Sequence, residues 1–171
     1  TPHEIILCIN NSKIKLLTNL KERICEIELD DKVLGKELRN ENVASKASEL
    51  AKDSEIRNAV MKIQRNAYEE EKGLIADGRD MGTVIFPEAV LKVFLQASSE
   101  VRAKRRANQL KEKGMSVIMH DLLRQIQQRD EEDTNRKISP LRPADGSLLI
   151  DTSNLSIIEV EKRVMENYKK L

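Results

Sequence analysis

The sequence predicts an α/β fold, because short apolar runs alternate with longer amphipathic stretches in its second half. Leu74–Ala76, Leu91–Leu95 and Leu148–Ile150 are uninterrupted apolar runs, as expected of short strands buried on both faces. Helical patterns lie between the second and third runs and again after the third. Strands that alternate with helices form parallel βαβ units, and ligands gather at the carboxyl ends of such strands.

The composition is that of one ordinary domain, and it disfavours several classes of function. Of 171 residues, 39% are hydrophobic and 35% are charged, with a formal net charge of +1. This balance argues against a chain held to nucleic acid by bulk charge, and the 2% aromatic content disfavours base stacking. We find no membrane-length apolar run and no signal segment. Cys8 and Cys25 predict two reduced thiols in a cytoplasmic protein, without a metal site made by the protein.

The first part of the chain predicts short strands with turns. Ile5–Ile9 is an apolar run, and Cys25–Leu29 alternates apolar and acidic residues. Asp30–Lys32 is typical of a hairpin turn, although it contains no glycine.

Helices are predicted on both sides of the strand Leu74–Ala76. Asn42–Lys52 has a helical pattern, and Ser54 is a suitable N-cap for a helix that runs to about Glu71 and stops at Gly73. Three further helices are expected in the second half. They run from Ser98 or Ser99 to Lys113 with a stop at Gly114, from Val117 to about Arg136, and from the capping box Ser156–Glu159.

A polar loop follows directly on the apolar run Leu74–Ala76. Asp77–Gly82 has the sequence DGRDMG, which places two carboxylates and one guanidinium at the ligand edge of the predicted sheet. An ordinary turn would use similar residues, but the position at the end of a strand favours function.

The helix Val117–Arg136 carries one stripe that begins apolar and ends charged. At 100° per residue, its members fall within about 80° of arc; they are Ile118, Leu122, Ile126, Arg129, Asp133 and Arg136. An apolar stripe faces the protein interior, so its charged continuation is expected to face a cleft. An internal Asp–Arg pair would explain part of the pattern. One Asp does not balance two Arg, however, and the excess positive charge suits phosphate oxygens.

A basic cluster lies on the preceding helix, at Arg102, Lys104, Arg105 and Arg106. A solvated face is the usual explanation for such a run. A lid that clamps phosphate is the functional alternative.

Three ordered motifs resemble the signature of bacterial cytidylate kinases. They are GLIADGRDMGTVIFP at Gly73–Pro87, ASSEVRAKRR at Ala97–Arg106 and QRDEEDTNR at Gln128–Arg136. Val43–Gln64 is similar to the monophosphate-binding region of that family. The resemblance is continuous from about Cys25 to the C-terminus, whereas residues 1–20 match poorly.

The resemblance implies transfer of the γ-phosphoryl group of ATP to CMP or dCMP with Mg²⁺, by a P-loop nucleoside-monophosphate-kinase-like fold. Its sheet would carry a small inserted substrate domain and a helical lid. Separately, we expect a monomer. The implied roles are base contacts for Ser48, Arg57 and Asp80, sugar contacts for Arg129 and Asp133, phosphate contacts for Arg79 and Arg136, a lid over ATP for Arg102, Arg105 and Arg106, and a place near Mg²⁺ for Asp77. The catalytic group would comprise Asp77, Arg79, Arg129 and Arg136.

The sequence departs from the family pattern at one point. The family begins with a strand, a glycine-rich phosphate loop containing Gly-Lys, and a helix, and the 171 residues contain no GxxxxGK[ST]. We therefore expect upstream residues in the parent protein. The chain as written is expected to lack kinase activity and, without the central strand, to be unstable or prone to aggregation. Residues 1–72 would be a partial monophosphate-binding insert, and residues 73–171 the kinase core with a lid at about 99–116.

Two alternatives stay open at this point. A non-enzymatic protein could bind RNA or a partner through the helix that carries Arg102–Arg106. A monophosphate kinase could also act on another base.

Overall fold

The computed structural model describes residues 1–19, 24–35, 38, 41–112 and 114–171, with backbone alone at positions 18, 19, 24, 25, 41, 42 and 44. The helices of the described part are α1 Pro2–Asn11, α2 Glu41–Leu50, α3 Ser54–Asn66, α4 Ser99–Glu112, α5 Met119–Asn135 and α6 Ile157–Tyr168. The strands are β1 Ile14–Asn19, β2 Ile24–Leu29, β3 Lys32–Leu34, β4 Val93–Gln96 and β5 Leu148–Asp151. The chain forms two compact units, Thr1–Ala76 and Asp77–Leu171. None of the described helices is long and apolar enough to cross a membrane.

The first unit contains an antiparallel sheet in the order β1-β2-β3. The predicted strand Cys25–Leu29 is confirmed by β2, and the predicted turn at Asp30–Lys32 is confirmed by the β2–β3 hairpin. Asp30 and Asp31 have φ of 49° and 64°, the left-handed pair that a tight two-residue hairpin needs. Aspartate tolerates this conformation better than most residues, which explains a turn without glycine.

The prediction of a strand at Ile5–Ile9 is wrong, because this run lies within α1. Thr1 and Glu4 form a capping box, and Pro2 occupies the first turn of the helix, where a missing N–H costs nothing. These start signals outweigh the strand preference of a short β-branched run. The helix packs against α3 within the first unit.

The helix predicted to begin at Ser54 is confirmed, but its cap and its end differ from the prediction. Asp53 is the N-cap, and its carboxylate accepts the backbone N–H groups of Glu55 and Ile56 at 2.9 and 3.1 Å. The helix ends at Asn66 rather than near Glu71. Aspartate is as good a cap as serine, so residue type alone does not decide between positions 53 and 54.

The second unit contains a parallel pair of strands, as predicted. β4 and β5 run side by side, with Val93 opposite Leu148 and Gln96 opposite Asp151. Leu95 and Leu149 on these strands are more than half exposed, although Ile150 is buried.

The strand predicted at Leu74–Ala76 is absent from both described sheets, and Ile75 is fully exposed. Apolar residues alone do not make a strand, because its backbone groups also need a hydrogen-bonded neighbour. The described residues provide no such neighbour to this segment.

Helix starts and stops in the second unit agree with most local signals. Ser98 accepts the N–H of Val101, and α4 closes at Gly114, whose φ of +75° favours glycine. Lys113, the predicted last residue of this helix, lies outside the described residues. The capping box predicted for α6 is confirmed, since Glu159 N donates to Ser156 Oγ and Ser156 N donates to Glu159 Oε2.

Candidate active site

The second unit brings three predicted arginines around one buried carboxylate. Nε of Arg79 donates to Oδ2 of Asp133 over 2.5 Å. Nη1 of Arg136 lies 3.5 Å from Oδ1, and Nε of Arg129 lies 3.9 Å from Oδ2. The Asp133 side chain is only 10% exposed, so its contacts with these guanidinium groups are shielded from water.

The end of α5 and the loop after it place Asp133 and Arg136. Arg136 leaves the helix in an extended conformation, and its Nε donates to the carbonyl oxygen of Ser139. The backbone N–H of Leu141 then donates to the carbonyl oxygen of Asp133 at 2.8 Å, which closes the loop over the end of the helix. The Arg136 side chain is consequently 20% exposed, with its guanidinium group fixed beside Asp133.

The charged stripe predicted on α5 is correct in part. Asp133 is buried and Arg136 is half-buried, as an inward face requires. Arg129 is 59% exposed, and Ile118, which precedes α5 as its N-cap residue, is 69% exposed. The inward placement predicted for these two residues is wrong. A long arginine stem extends its charged end into water, and Ile118 lies before the first full turn.

The cluster at Asp133 carries more positive than negative charge. Three guanidinium groups lie within 4 Å of one carboxylate, which leaves an excess of two positive charges when all are ionised. Such an arrangement can bind a dianionic group with charge-assisted hydrogen bonds. It holds its guanidinium groups in place before any ligand arrives.

A second Arg–Asp pair lies one turn earlier on α5. Nη1 of Arg102 donates to Oδ1 of Asp130 at 2.7 Å, and Nη2 donates to Oδ2. This hydrogen bond lowers the pKa of the Asp130 carboxyl, and the positive charges of Arg79 and Arg129 lower it further. The pKa of Arg102 is correspondingly raised by the same hydrogen bond. The charges around Asp130 and those around Asp133 therefore interact with one another.

Arg105 of the predicted lid is bound to the end of β5. Its Nη1 donates to Thr152 Oγ1 at 3.0 Å, and its Nη2 donates to the carbonyl oxygen of Thr152 at 2.5 Å. Thr152 is buried and in turn donates to the carbonyl oxygen of Gln96 at the end of β4. Arg106 is half-buried on the same helix. A lid function for these residues stays a prediction.

The loop after Leu74–Ala76 contains a feature that its residue pattern does not predict. Residues Met81–Ile85 form one turn of π-helix, which begins at Asp80. Asp80 is buried and its carbonyl oxygen accepts the N–H of Val84 at 2.9 Å, whereas Asp77 is exposed. Single π turns occur often at functional sites, and no residue pattern in this loop announces one.

Two predicted base contacts lie in the first unit. Ser48 is half-buried on α2 and Arg57 is half-buried on α3. Nη1 of Arg57 donates to the carbonyl oxygen of Ala51 at 3.4 Å, just beyond the end of α2. The structure thus brings these two residues onto neighbouring helices of one unit. The other predicted substrate contacts and the predicted lid residues all lie in the second unit.

Metal binding is limited by the available donors. In the described part of the chain, no three His, Cys, Asp or Glu residues lie together as a metal site. Asp77 offers a single exposed carboxylate at the start of its loop. Mg²⁺ needs only one or two protein carboxylates when substrate phosphates and water complete its octahedron, so this donor set fits an ion that arrives with a nucleotide.

Comparisons with known proteins match nearly the whole chain. A family model described as cytidylate kinase matches residues 4–170. The prediction that residues 1–20 match the family poorly is therefore wrong for most of that segment. A cytidylate kinase of Vibrio vulnificus is 46% identical over 143 residues, which cover 84% of this chain and 63% of that protein. One of Shewanella denitrificans is 43% identical over 165 residues, covering 96% and 72%. One of Burkholderia ambifaria is 46% identical over 160 residues, covering 92% and 70%.

The chain thus spans less than two thirds of the length of the Vibrio relative, and 70–72% of the length of the other two. The family match and the parallel strands flanked by helices confirm the predicted α/β fold class. From these relatives and the family model, we conclude that the chain belongs to the cytidylate kinase family, which has a P-loop nucleoside monophosphate kinase fold.

Proposed function

We propose that the protein transfers the γ-phosphoryl group of ATP to CMP or dCMP, giving CDP or dCDP. The observation that carries this proposal is the buried Asp133 carboxylate with guanidinium groups of Arg79, Arg129 and Arg136 around it. The two excess positive charges match the dianionic phosphate of a nucleoside monophosphate. Arginine forks also fit the paired oxygens of phosphate better than lysine does.

The roles within this cluster follow from the positions of its members. Arg79 and Arg136 are proposed to bind phosphate oxygens, because their guanidinium groups are already held at Asp133 and Ser139. Arg129 and Asp133 are proposed to bind the sugar, with Asp133 accepting a hydroxyl hydrogen.

Base selection is proposed to depend on Asp80, with Ser48 and Arg57 as further contacts to cytosine. An ionised carboxylate accepts from the exocyclic amine of cytosine, while hydroxyl and guanidinium groups donate to its ring nitrogen and carbonyl oxygen. Uracil presents an oxygen where cytosine has the amine, so it would face a carboxylate unfavourably. The burial of Asp80 supports this role, because a shielded carboxylate discriminates more strongly than a solvated one.

Phosphoryl transfer requires alignment, neutralisation of charge and exclusion of water more than covalent chemistry from the protein. Mg²⁺ bound with ATP would neutralise phosphate charge, and Asp77 is proposed to hold it through its waters. Arg79, Arg129 and Arg136 would orient the acceptor phosphate and stabilise the negative charge on its oxygens. Arg102, Arg105 and Arg106 are proposed to contribute to the lid over ATP.

The activity is proposed for the whole protein. The 171 residues contain no GxxxxGK[ST] loop, and the chain spans 63% of the Vibrio relative. The proposed location is the cytoplasm, which the exposed free thiol of Cys8 supports. We also infer that the protein acts as a monomer, since the contacts proposed for CMP need no residue from a second copy.

Nucleotide competition tests the proposal. Titration calorimetry of the chain with CMP, dCMP, UMP and AMP is expected to show binding of the two cytidine nucleotides in preference to the others. A coupled assay of ADP release, on protein expressed from the whole reading frame that contains Thr1–Leu171, is expected to show the same order. Equal affinity for all four nucleotides would argue for another substrate. Strongly salt-dependent RNA binding without a response to CMP would favour the binding-protein alternative.

A further inference from the structure

Asp130 forms a contact that none of the proposed substrate roles uses. Both of its carboxylate oxygens accept from the guanidinium group of Arg102, which is the geometry of a bidentate fork. Its side chain is 28% exposed and that of Arg102 is 35% exposed, so the pair is partly shielded from water. Pairs of this geometry hold both side chains in one orientation more firmly than single surface ion pairs do.

Arg102 also binds the turn between β4 and α4. Its Nε donates to the carbonyl oxygen of Ala97 at 3.1 Å, and its Nη2 lies 3.3 Å from Ser99 Oγ. This turn begins directly after Gln96, at the carboxyl end of β4, where ligands of parallel sheets bind. Asp130 therefore fixes the ligand edge of the sheet to α5 through one guanidinium group.

Asp130 and Asp133 act from the same helix on two different loops. Three residues of α-helix separate them by about 300° of rotation, so both carboxylates lie within about 60° on one face. Asp133 holds Arg79 of the DGRDMG loop, and Asp130 holds Arg102 of α4, whose guanidinium group also binds the Ala97 carbonyl oxygen in the β4–α4 turn. The helix thus sets the positions of two loops at once.

We propose that Asp130 is a positioning residue for the phosphate-binding cluster, because its fork to Arg102 fixes the place of α5, and with it Asp133 and Arg136, at the edge of the sheet. This inference rests on the proposed binding of CMP. A guanidinium cluster that moves by a fraction of an ångström no longer matches the phosphate oxygens, and misplacement by 1 Å is enough to lose a large share of the interaction.

Electrostatics alone predicts that Asp130→Asn tightens phosphate binding, whereas a positioning role predicts that it weakens it. The direction of the change in affinity therefore distinguishes the two. Removal of the negative charge beside Arg79 and Arg129 would by itself raise the positive potential of the cluster and tighten phosphate binding. A positioning role requires that Asp130→Asn weakens phosphate binding in spite of the more favourable potential.

The experiment compares CMP with cytidine, which has the same base and sugar without the phosphate. The wild-type protein and its Asp130→Asn variant, both expressed from the whole reading frame, are titrated with each ligand. The changes in NMR chemical shifts give the Kd values. We expect the Kd of CMP to rise on the order of tenfold in the variant, while the Kd of cytidine changes little. Glu131→Gln is the matched control, because it removes a carboxylate from the adjacent exposed position of α5 and is expected to leave both values unchanged.

Arg102→Lys keeps the proposal testable if Asp130→Asn does not fold. Lysine keeps the charge but cannot span both carboxylate oxygens and the Ala97 carbonyl, so a smaller rise in the Kd of CMP alone is expected. Equal weakening of cytidine and CMP, or CMP binding in Asp130→Asn as tight as in the wild type, would overturn the inference and leave the proposed function intact. Failure of the wild-type protein, expressed from the whole reading frame that contains Thr1–Leu171, to bind CMP would instead overturn the proposed function and this inference with it.

Discussion

Arg79 and Asp133 are 54 residues apart in the chain, yet the Nε of one donates to Oδ2 of the other over 2.5 Å. The contact joins the loop after Leu74–Ala76 to the last turn of α5. Because the carboxylate is buried, loss of Asp133 would leave three neighbouring guanidinium groups without their shared counterion. The pair therefore contributes to the order of the site as well as to its charge.

Replacement of Arg136 is expected to weaken CMP binding strongly. Arg136→Ala removes a guanidinium group that is held at Asp133 and Ser139, and loss of a charge-assisted contact of this kind costs about 2 kcal/mol or more. Titration calorimetry measures the change. Arg142→Ala is the control, since Arg142 is exposed in the loop that follows. An unchanged isotherm for Arg136→Ala would remove this residue from the site.

Replacement of Asp80 is expected to change base preference. In Asp80→Asn, the side-chain amide can donate to the uracil oxygen that the carboxylate faced unfavourably, so the ratio of kcat/KM for CMP over UMP should fall by about tenfold or more. Asp145→Asn, at an exposed position, should keep the wild-type ratio. A ratio that Asp80→Asn leaves unaltered would contradict the assigned role in base reading.

The Arg102–Asp130 pair predicts a loss of stability in acid. The pKa of Asp130 is lowered in the folded chain, so its contribution to the free energy of unfolding is present above the ordinary value of about 4 and is lost as the pH falls below it. Urea unfolding at a series of pH values from 7 to 3 measures this dependence. Asp130→Asn should show a shallower decline over the same range, with Glu131→Gln as the control. Identical slopes for Asp130→Asn and the wild type would refute the linkage.

The contacts of Thr152 predict a stability effect where the end of β5 meets α4. Thr152→Val keeps the shape of the side chain but removes the buried hydroxyl that accepts from Arg105 and donates to Gln96. Loss of these two hydrogen bonds is expected to lower the free energy of unfolding by about 1–3 kcal/mol, measured by denaturant titration. Ser153→Ala removes a neighbouring hydroxyl and serves as the control. A similar loss in the free energy of unfolding in both variants would contradict a specific contribution of the Thr152 hydrogen bonds.

Local signals in the sequence predicted much of the secondary structure. The capping box at Ser156 and the glycine at position 114 mark helix ends by interactions within a few residues, so residue type suffices to find them. The prediction of a strand at Ile5–Ile9 was wrong because β-branched residues favour strands. The helix is instead determined by its N-cap Thr1 and by Pro2 in its first turn, both of which precede the run.

Contacts between distant residues could be predicted only in part. The stripe on α5 identified Asp133 and Arg136, because helical periodicity places them together without knowledge of the fold. The partner of Asp130 is 28 residues away on another helix, and no periodicity relates the two positions. The π turn that begins at Asp80 was missed for a similar reason, since its geometry depends on the surrounding loop rather than on residue preference.

The three-residue interval between Asp130 and Asp133 restricts which length changes the helix can accept. Insertion or deletion of one residue between them would rotate one carboxylate by about 100° relative to the other, so only one of the two arginines could keep its partner. Substitutions at Glu131 and Glu132 do not change the number of residues and so leave that phase intact, and both side chains are exposed. Natural variation in this turn should therefore replace residues freely at these two positions while its number of residues stays constant.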